Sequence, residues 1–355
     1  MPQTAERTQQ APELTPQQAP ELASELASEL VAKQTAQQAP QKAPEPVVAL
    51  PFSDPDRTAC GAARAKVGLS ALRVLWFNTG TLCNIECVNC YIASSPTNDA
   101  LVYLTRADVV QYLDEIRTAC LPTEEIGFTG GEPFMNPQII GMLDAALAAG
   151  HKALVLTNAM RPMMRPRVQA GLADLVRRYG DRLTLRVSLD HHSAAHHDSL
   201  RGPGAFAASL AGMRWLRDIG ASMAVAGRTI WNEPEAEARH GFAQLFEREG
   251  IAIDAQDPET CVLFPEMDET ARVPEITTAC WGILGKRPDM VMCASSRMVV
   301  KRRGAARPTV LACTLLAYDA AFELGETLLD AHRPVALNHP HCAKFCVLGG
   351  ASCAG

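Results

Sequence analysis

The chain has 355 residues, of which 47% are apolar, and carries a formal net charge of −6. This length is enough for one large domain or two ordinary ones with a hydrophobic core. The mildly acidic net charge does not indicate the basic surface with which a protein binds nucleic acid. No apolar run approaches the roughly 18 residues that a membrane helix needs. Because the N-terminus shows no signal-peptide pattern either, the sequence predicts a soluble, cytoplasmic protein with no nucleic-acid or membrane partner.

The first part of the chain, residues 1–58, has low complexity. "QQAPEL" at residues 9–14 recurs at 17–22, and "ELASELASEL" occupies residues 21–30. Pro, Gln, Ala and Glu bury too little apolar surface to offset the entropy of ordering the chain. We therefore predict a disordered tail that carries no chemistry.

From about residue 70, short β-rich runs alternate with longer amphipathic segments. The predicted strands are residues 72–77, 125–129, 152–157, 183–189, 222–228 and 251–255. The predicted helices lie near 106–119, 136–149, 165–178, 205–219 and 235–248. This alternation favours an α/β domain with a parallel sheet, either open or curled as part of a barrel, over residues 59–256.

Beyond residue 256 the alternation ends, and cysteine, proline and turn residues become frequent. The segment 291–313 has the pattern of a hairpin, with "KRRGAAR" at its tip, and residues 337–353 have that of an irregular loop. A module with so little periodicity needs a covalent or metal staple. We predict a second, smaller module over residues 257–355 that is stabilised by metal.

Ten of the twelve cysteines fall into two groups, three at positions 83–90 and seven between Cys261 and Cys353. Cys83, Cys87 and Cys90 follow directly after the first predicted strand. Four thiolates would close the coordination of a structural zinc or an iron–sulfur cluster, whereas three leave one metal position free. An open position is typical of a reactive metal site, although the spacing alone also allows zinc with a fourth ligand from elsewhere.

Three further motifs follow later strands: "FTGGEP" at 128–133, "LTN" at 156–158 and "VSLDHH" at 187–192. Together with the C-x-x-x-C-x-x-C loop and in this order, they resemble the radical S-adenosylmethionine (SAM) enzymes over roughly residues 70–256. The resemblance implies a partial (β/α)6 TIM-like barrel. Because ligands of parallel α/β folds sit at the carboxyl ends of strands, we expect all four motifs to converge on one rim.

The resemblance also implies roles for the motif residues. Cys83, Cys87 and Cys90 would hold a [4Fe–4S] cluster whose fourth iron binds SAM, and reductive cleavage of SAM would give a 5′-deoxyadenosyl radical. Gly130 and Gly131 would allow close backbone approach, and Glu132 would accept a hydrogen bond from the SAM ammonium group. Read alone, "GGEP" is equally a plain turn between a strand and a helix.

Two more pairs would complete the SAM site. Ser188 and Asp190 occupy alternate positions, so they point to the same side, where they would bind ribose hydroxyls or the SAM carboxylate. Thr157 and Asn158 hold the equivalent place on the third strand. For both pairs the alternative is capping of the helices that follow. Arg201 would meet the SAM carboxylate or form a surface ion pair.

The histidines of "DHHSAAHHD" also have a spacing found in metal sites. His192 and His196 are four residues apart, which puts two imidazoles on one helix face. The corresponding segment of the radical SAM family carries no metal, so we favour solvated histidines or substrate contacts.

The C-terminal cysteines resemble the SPASM or twitch extension of radical SAM enzymes, which carries one or two auxiliary [4Fe–4S] clusters. We predict one cluster drawn mainly from Cys293, Cys313, Cys346 and Cys353, with Cys342 as the competing ligand. Cys261 and Cys280 would serve a second cluster. A structural zinc or buried unpaired cysteines are the alternatives.

The resemblance implies hydrogen abstraction from a peptide or a small molecule such as a sugar or aminocyclitol, with an electron donor such as flavodoxin or ferredoxin. Peptide maturases often carry a folded leader-recognition domain, and the tail predicted here disfavours that substrate class. A hypothesis of another class is a non-catalytic iron–sulfur electron carrier or a zinc-stabilised binding protein. Neither role needs the GGEP and fourth-strand motifs, which therefore favour the enzyme.

Overall fold

The computed structural model describes residues 50–349 apart from 267, 269 and 271, and these residues lie in one compact unit. The predicted disorder of residues 1–49 lies outside the described residues. Residues 50–58, which the sequence assigned to the tail, are tied to a distant part of the chain. The backbone N–H groups of Phe52 and Ala59 both donate to the Glu275 carboxylate at 2.6 Å.

The sheet and helix boundaries follow the predicted alternation. The strands are β1 (Lys66–Val67), β2 (Val74–Asn78), β3 (Glu125–Thr129), β4 (Lys152–Thr157), β5 (Leu183–Ser188), β6 (Ser222–Arg228), β7 (Cys261–Phe264), β8 (Ser296–Val300), β9 (Thr309–Leu311), β10 (Glu323–Gly325) and β11 (Val335–Ala336). The α-helices are α1 (Arg106–Thr118), α2 (Ile139–Ala148), α3 (Pro166–Tyr179), α4 (Ala194–Arg201), α5 (Ala205–Asp218), α6 (Glu235–Glu249) and α7 (Cys280–Leu284). Within the described residues, no helix is long and apolar enough to cross a membrane.

Nine strands form one sheet in the order β10-β9-β8-β2-β3-β4-β5-β6-β7. From β2 to β7 every pairing is parallel and follows the chain order, and β8 adds a further parallel strand on the other side of β2. β9 pairs antiparallel with β8, which confirms the hairpin predicted for residues 291–313. β10 then pairs antiparallel with β9. The predicted α/β class with a parallel sheet is confirmed, and β7 and β10 remain as the two edges of the sheet.

Two local predictions were wrong. Residues 251–255 do not form the sixth strand, because Gly250 ends α6 in the left-handed region and the Asp254 side chain then accepts the Gln256 N–H in a turn. The strand is β7 instead, so the sheet continues past the predicted module boundary at residue 256. The predicted irregular loop contains a seven-residue π-helical segment, Cys342–Leu348.

The two faces of the sheet have different surroundings. Leu75 and Phe77 of β2 pack into the main core with the helices, whereas Val74 and Trp76 belong to a smaller apolar cluster on the other face. This alternation is the period of two expected for a strand. On β3, a Cβ at Gly127 would lie 2.3 Å from the Trp76 indole. The absence of a side chain at Gly127 therefore lets the indole lie against β3 on the face of the smaller cluster.

Candidate active site

The carboxyl ends of the parallel strands face an open cavity. Its wall runs from Trp76 of β2 to Phe264 of β7, so the sheet curves around the cavity. The predicted site residues on this wall are Cys83, Cys87, Cys90, Gly130, Gly131, Thr157, Asn158, Ser188, Asp190 and Arg201. Of the residues predicted for the SAM site, only Glu132 is not part of this wall.

The two glycines of the GGE turn hold the segment that leads into the cysteine loop. The Gly131 N–H donates to the Gly80 carbonyl at 2.9 Å, and the Glu132 N–H donates to the Leu82 carbonyl at 3.1 Å. A Cβ on Gly131 would lie 2.3 Å from the Leu82 oxygen, and Gly130 has a φ of +136°. The close approach that requires glycine here is therefore made by the protein's own backbone, one residue before Cys83.

Glu132 is a buried structural acceptor, with 2% of its surface exposed. One carboxylate oxygen accepts the Phe134 N–H (3.1 Å) and the Thr157 hydroxyl (2.9 Å), and the other accepts the Asn158 N–H (2.8 Å). Burial raises the pKa of Glu132 to about 7 against the opposing effect of these donors. The carboxylate ties the end of β3 to the end of β4, and its predicted contact with the SAM ammonium group stays a prediction.

Glu132 should leave a pH signature in the stability of the cluster-free protein. Its pKa is about 4.5 in the unfolded chain and about 7 in the folded one, so the folded state binds more protons between these values. The free energy of unfolding should therefore fall as pH rises from 4.5 to 7, by on the order of 3 kcal/mol. Urea titrations of the wild type and Glu132→Gln across this range measure the difference. A slope that is equal in both proteins would contradict the assignment.

Thr157 and Asn158 form a local turn and do not cap a helix, because α3 begins only at Pro166. The Thr157 hydroxyl accepts the Ala159 N–H, and the Asn158 side-chain oxygen accepts the Met160 N–H, both at 3.0 Å. The Asn158 amide group donates to the Asn84 side chain at 2.9 Å and lies 3.9 Å from the Cys83 sulfur. Asn158 thus positions the first cysteine of the loop.

Asp190 and Arg201 form a buried, two-pronged ion pair, with contacts of 2.5 and 3.1 Å. The alternative of a surface ion pair for Arg201 is therefore wrong, since 14% of its side chain is exposed. Burial alone would lower the pKa of Arg201, but Asp190 raises it above the usual value. Burial also raises the pKa of Cys87, and the Arg201 charge opposes that rise. Arg201 thus places a cation beside the cysteine loop.

The three loop thiols all line the cavity, which leaves them accessible to a bound metal group. Burial raises the pKa of Cys83 to about 12, so binding of metal must release protons from the loop.

The cavity wall also carries polar groups that suit a further ligand. Trp76 Nε1 and Ser94 Oγ are buried and have no hydrogen-bond partner among the residues that the structure describes. Both residues line the cavity. Buried polar atoms are normally paired, so these two groups together with the loop thiols fit a cavity that binds a cluster and a polar ligand.

His191, His192 and Glu233 lie close together, with ligating atoms within 4.8 Å of one another. His191 Nδ1 accepts the backbone N–H of Ser193 at 2.9 Å, so Nε2 carries the ring proton and donates it to Glu233 at 2.7 Å. A neutral imidazole in this tautomer has no lone pair left for a metal. The sequence did not favour a metal at His192 and His196, and the His196 ring stacks on Trp231.

Three of the C-terminal cysteines lie in one region. Cys293 and Cys313 both raise the pKa of the buried Cys342 thiol, after the larger effect of burial, so both lie near Cys342. Which of the predicted cysteines bind an auxiliary cluster stays a prediction. Cys346 lies on the same π-helical segment as Cys342, and Cys353 lies outside the described residues.

The two cysteines predicted for a second cluster, Cys261 and Cys280, lie on different elements. Cys261 lies on β7 in the hydrophobic core, where burial raises its pKa to about 11, and no cysteine is among the groups that shift it. Cys280 begins α7, and its sulfur accepts the Thr277 N–H at 3.4 Å. A second auxiliary cluster at these two residues stays a prediction.

Sequence reasoning missed several residues of the cavity wall. Trp76, Arg186, Arg228 and Phe264 all point inward from strands. Their signal was available in the alternation of each strand, since Arg186 lies two residues before Ser188 on the same face.

Residues 77–231 match the protein-family model of the radical SAM superfamily. The chain therefore contains a radical SAM domain over these residues. The matched range contains the cysteine loop, the GGE turn and the ends of β4 and β5. The family resemblance inferred from these motifs is therefore confirmed.

Curated relatives of the radical SAM region include two bacterial proteins. The antilisterial bacteriocin subtilosin biosynthesis protein AlbA of Bacillus subtilis (strain 168) is 31% identical over 42% of this chain and 32% of its own length. The mycofactocin maturase MftC of Mycobacterium ulcerans (strain Agy99) is 28% identical over 50% of this chain and 43% of its own. The chain thus spans less than half the length of these relatives.

Solved structures share the fold at low sequence identity. Streptococcus suis SuiB bound to precursor peptide SuiA superposes with a TM-score of 0.53 at 12% identity, over 75% of this chain and 66% of that one. Native anSMEcpe with bound AdoMet gives 0.53 at 12% identity, over 78% and 84%. These similarities confirm the predicted fold class of a radical SAM barrel with a C-terminal cysteine-rich region.

Proposed function

We propose that this chain cleaves SAM reductively and uses the resulting radical to modify a peptide. The observation that supports this most is the convergence of the three loop cysteines with the motif residues of β3, β4 and β5 on one cavity. Neither a zinc-stabilised binding protein nor an iron–sulfur electron carrier needs such a cavity beside its thiols.

Cys83, Cys87 and Cys90 would hold a [4Fe–4S] cluster with one iron left open. When bound, such a cluster supplies the electron that breaks the bond between the SAM sulfonium and C5′, which gives the 5′-deoxyadenosyl radical. The protein's own part is to place the ligands. The Gly130–Gly131 turn holds the backbone that leads to Cys83, and Asn158 contacts the Cys83 sulfur.

The same residues would position SAM in the cavity. Ser188 presents its hydroxyl at the carboxyl end of β5, where it would donate to a ribose or carboxylate oxygen. The Asp190 carboxylate is already engaged by Arg201, so we assign Asp190 to hold the Arg201 guanidinium in place. A buried cation held in this way would attract the SAM carboxylate.

The remaining wall would protect the radical from water and from side reactions. Trp76, Leu156, Ala226 and Phe264 line the cavity from the sheet, and Leu315 and Phe345 line it from the C-terminal region. Apolar side chains on opposing walls exclude water from the reacting centre. This arrangement orients a substrate between the barrel and the C-terminal region.

A peptide is the substrate class that the comparisons favour over a small molecule. One relative is named for bacteriocin biosynthesis and another as a maturase, and SuiB was solved with a precursor peptide. We further propose one auxiliary [4Fe–4S] cluster at Cys293, Cys313 and Cys342 with Cys346 as the fourth ligand, and reduction by a cytoplasmic donor such as flavodoxin or ferredoxin.

The test is formation of 5′-deoxyadenosine. Anaerobically reconstituted protein with SAM and dithionite should produce 5′-deoxyadenosine that chromatography with mass detection quantifies. The matched control, a Cys83→Ala/Cys87→Ala/Cys90→Ala variant, should produce none. If the wild type carries its full iron content, is reduced by dithionite and still yields none, the chain is an electron carrier and the proposed activity is wrong.

A further inference from the structure

Arg297 on β8 is a fully buried cation, with 1% of its surface exposed, and it has no carboxylate partner among the residues that the structure describes. Its Nε donates to the Ala331 carbonyl at 2.9 Å, and its Nη1 donates to the carbonyls of Cys293 (2.6 Å) and Ser296 (2.7 Å). Its Nη2 is buried and has no hydrogen-bond acceptor anywhere in the described part of the chain.

A buried charge without a counter-charge is costly, because desolvation is not offset by any attraction. An arginine guanidinium stays charged at neutral pH. The acceptors that Arg297 contacts are all neutral backbone carbonyls, so within the described residues this cation has no counter-charge.

The position of Arg297 indicates what would compensate it. Cys293 lies near Cys342, which lies near Cys313. A cluster held by thiolates carries negative charge, and its sulfur atoms accept hydrogen bonds that alter the reduction potential. An anionic group bound by these cysteines would therefore provide both a counter-charge for Arg297 and an acceptor for its Nη2.

We propose that Arg297 is the buried counter-cation of an iron–sulfur cluster held by Cys293, Cys313 and Cys342, and that it raises the reduction potential of that cluster. This inference rests on the auxiliary cluster of the proposed function. Arg297 is a positioning residue: its charge favours the reduced, more negative state of the cluster, and its Nη2 donates to a cluster sulfur.

The test isolates the auxiliary cluster in the full chain by starting from the Cys83→Ala/Cys87→Ala/Cys90→Ala variant. Iron and sulfide analysis gives its loading, and a redox titration monitored by electron paramagnetic resonance gives its potential. Adding Arg297→Met should lower the ratio of reduced to oxidised cluster at the parent's midpoint by about tenfold, which is 59 mV for one electron. Arg297→Lys, which keeps the charge, should change that ratio by less than about threefold.

The matched control is Arg307→Met, which removes an exposed cation and should leave the potential unchanged. If Arg297→Met loads iron and titrates like this control, the counter-charge proposal is overturned. If it loses iron while Arg297→Lys keeps it, and both retain the parent's circular dichroism, the proposal is supported. If both lose iron, the role is structural and the proposal is overturned. A parent variant without iron would instead overturn the auxiliary cluster itself, and the Arg297 proposal with it.

Discussion

Gly131→Ala is expected to lower 5′-deoxyadenosine formation by about 100-fold, because misplacing a reacting group by about 1 Å costs this much. The new Cβ would lie 2.3 Å from the Leu82 oxygen and 2.7 Å from the Thr81 oxygen. Both are backbone atoms, which cannot rotate away as a flexible side chain would. The backbone of Thr81 and Leu82 must therefore shift, and with it the segment that leads into Cys83. Initial rates of 5′-deoxyadenosine formation, normalised to bound iron, measure the effect.

Gly68→Ala is the matched control for this substitution. A Cβ at Gly68 would meet no atom within 4 Å, and its φ lies outside the left-handed region. Activity should stay within about twofold of the wild type, since substitutions away from such contacts have small effects. Equal activity in Gly131→Ala and the wild type would show that the cysteine loop is not held by the GGE turn.

Cys87→Ala and Cys342→Ala should separate the two groups of thiols. Each variant is expected to lose about four iron atoms, the content of one [4Fe–4S] cluster. Cys87→Ala should abolish 5′-deoxyadenosine formation, because it removes a ligand in the cavity. Cys342→Ala should retain it, because Cys342 groups with Cys293 and Cys313. Iron analysis and product quantification on the same samples measure both effects.

Cys120→Ala controls for the loss of a thiol as such, since Cys120 is exposed. It should retain the iron content and the activity of the wild type. Two outcomes would contradict the assignment of separate sites: loss of all iron in either single variant, or loss of 5′-deoxyadenosine formation in Cys342→Ala with the loop cluster still loaded.

The parallel sheet and the convergence of its motifs could be predicted from sequence because both depend on local signals. β3, β4 and β6 begin and end at the predicted residues, since β-branched runs bounded by turns are read from neighbours in the chain. The motif residues then reach one rim by the geometry of parallel strands alone. Glu132 alone of these residues does not line the cavity, because its carboxylate is buried in hydrogen bonds with Thr157 and Asn158.

What could not be predicted depends on contacts between distant residues. The ion pair of Asp190 and Arg201 depends on where α4 packs after β5. The proximity of Cys342 to Cys293 and Cys313 depends on the packing of a π-helical segment that has no signature in the sequence. Residues 251–255 have the composition of a strand, but the strand that pairs with β6 is β7 instead. In each case tertiary packing outweighs the local pattern.

The pairing of β8 with β2 has a mechanical consequence. The cysteine loop follows the carboxyl end of β2, whereas Cys293 precedes the amino end of β8, and the two strands are in register from Val74 and Ser296 to Phe77 and Val299. The chain therefore has no hinge between these two elements, since one hydrogen-bonded ladder joins them. Opening either strand breaks the ladder of the other, so the two regions should unfold as one cooperative unit.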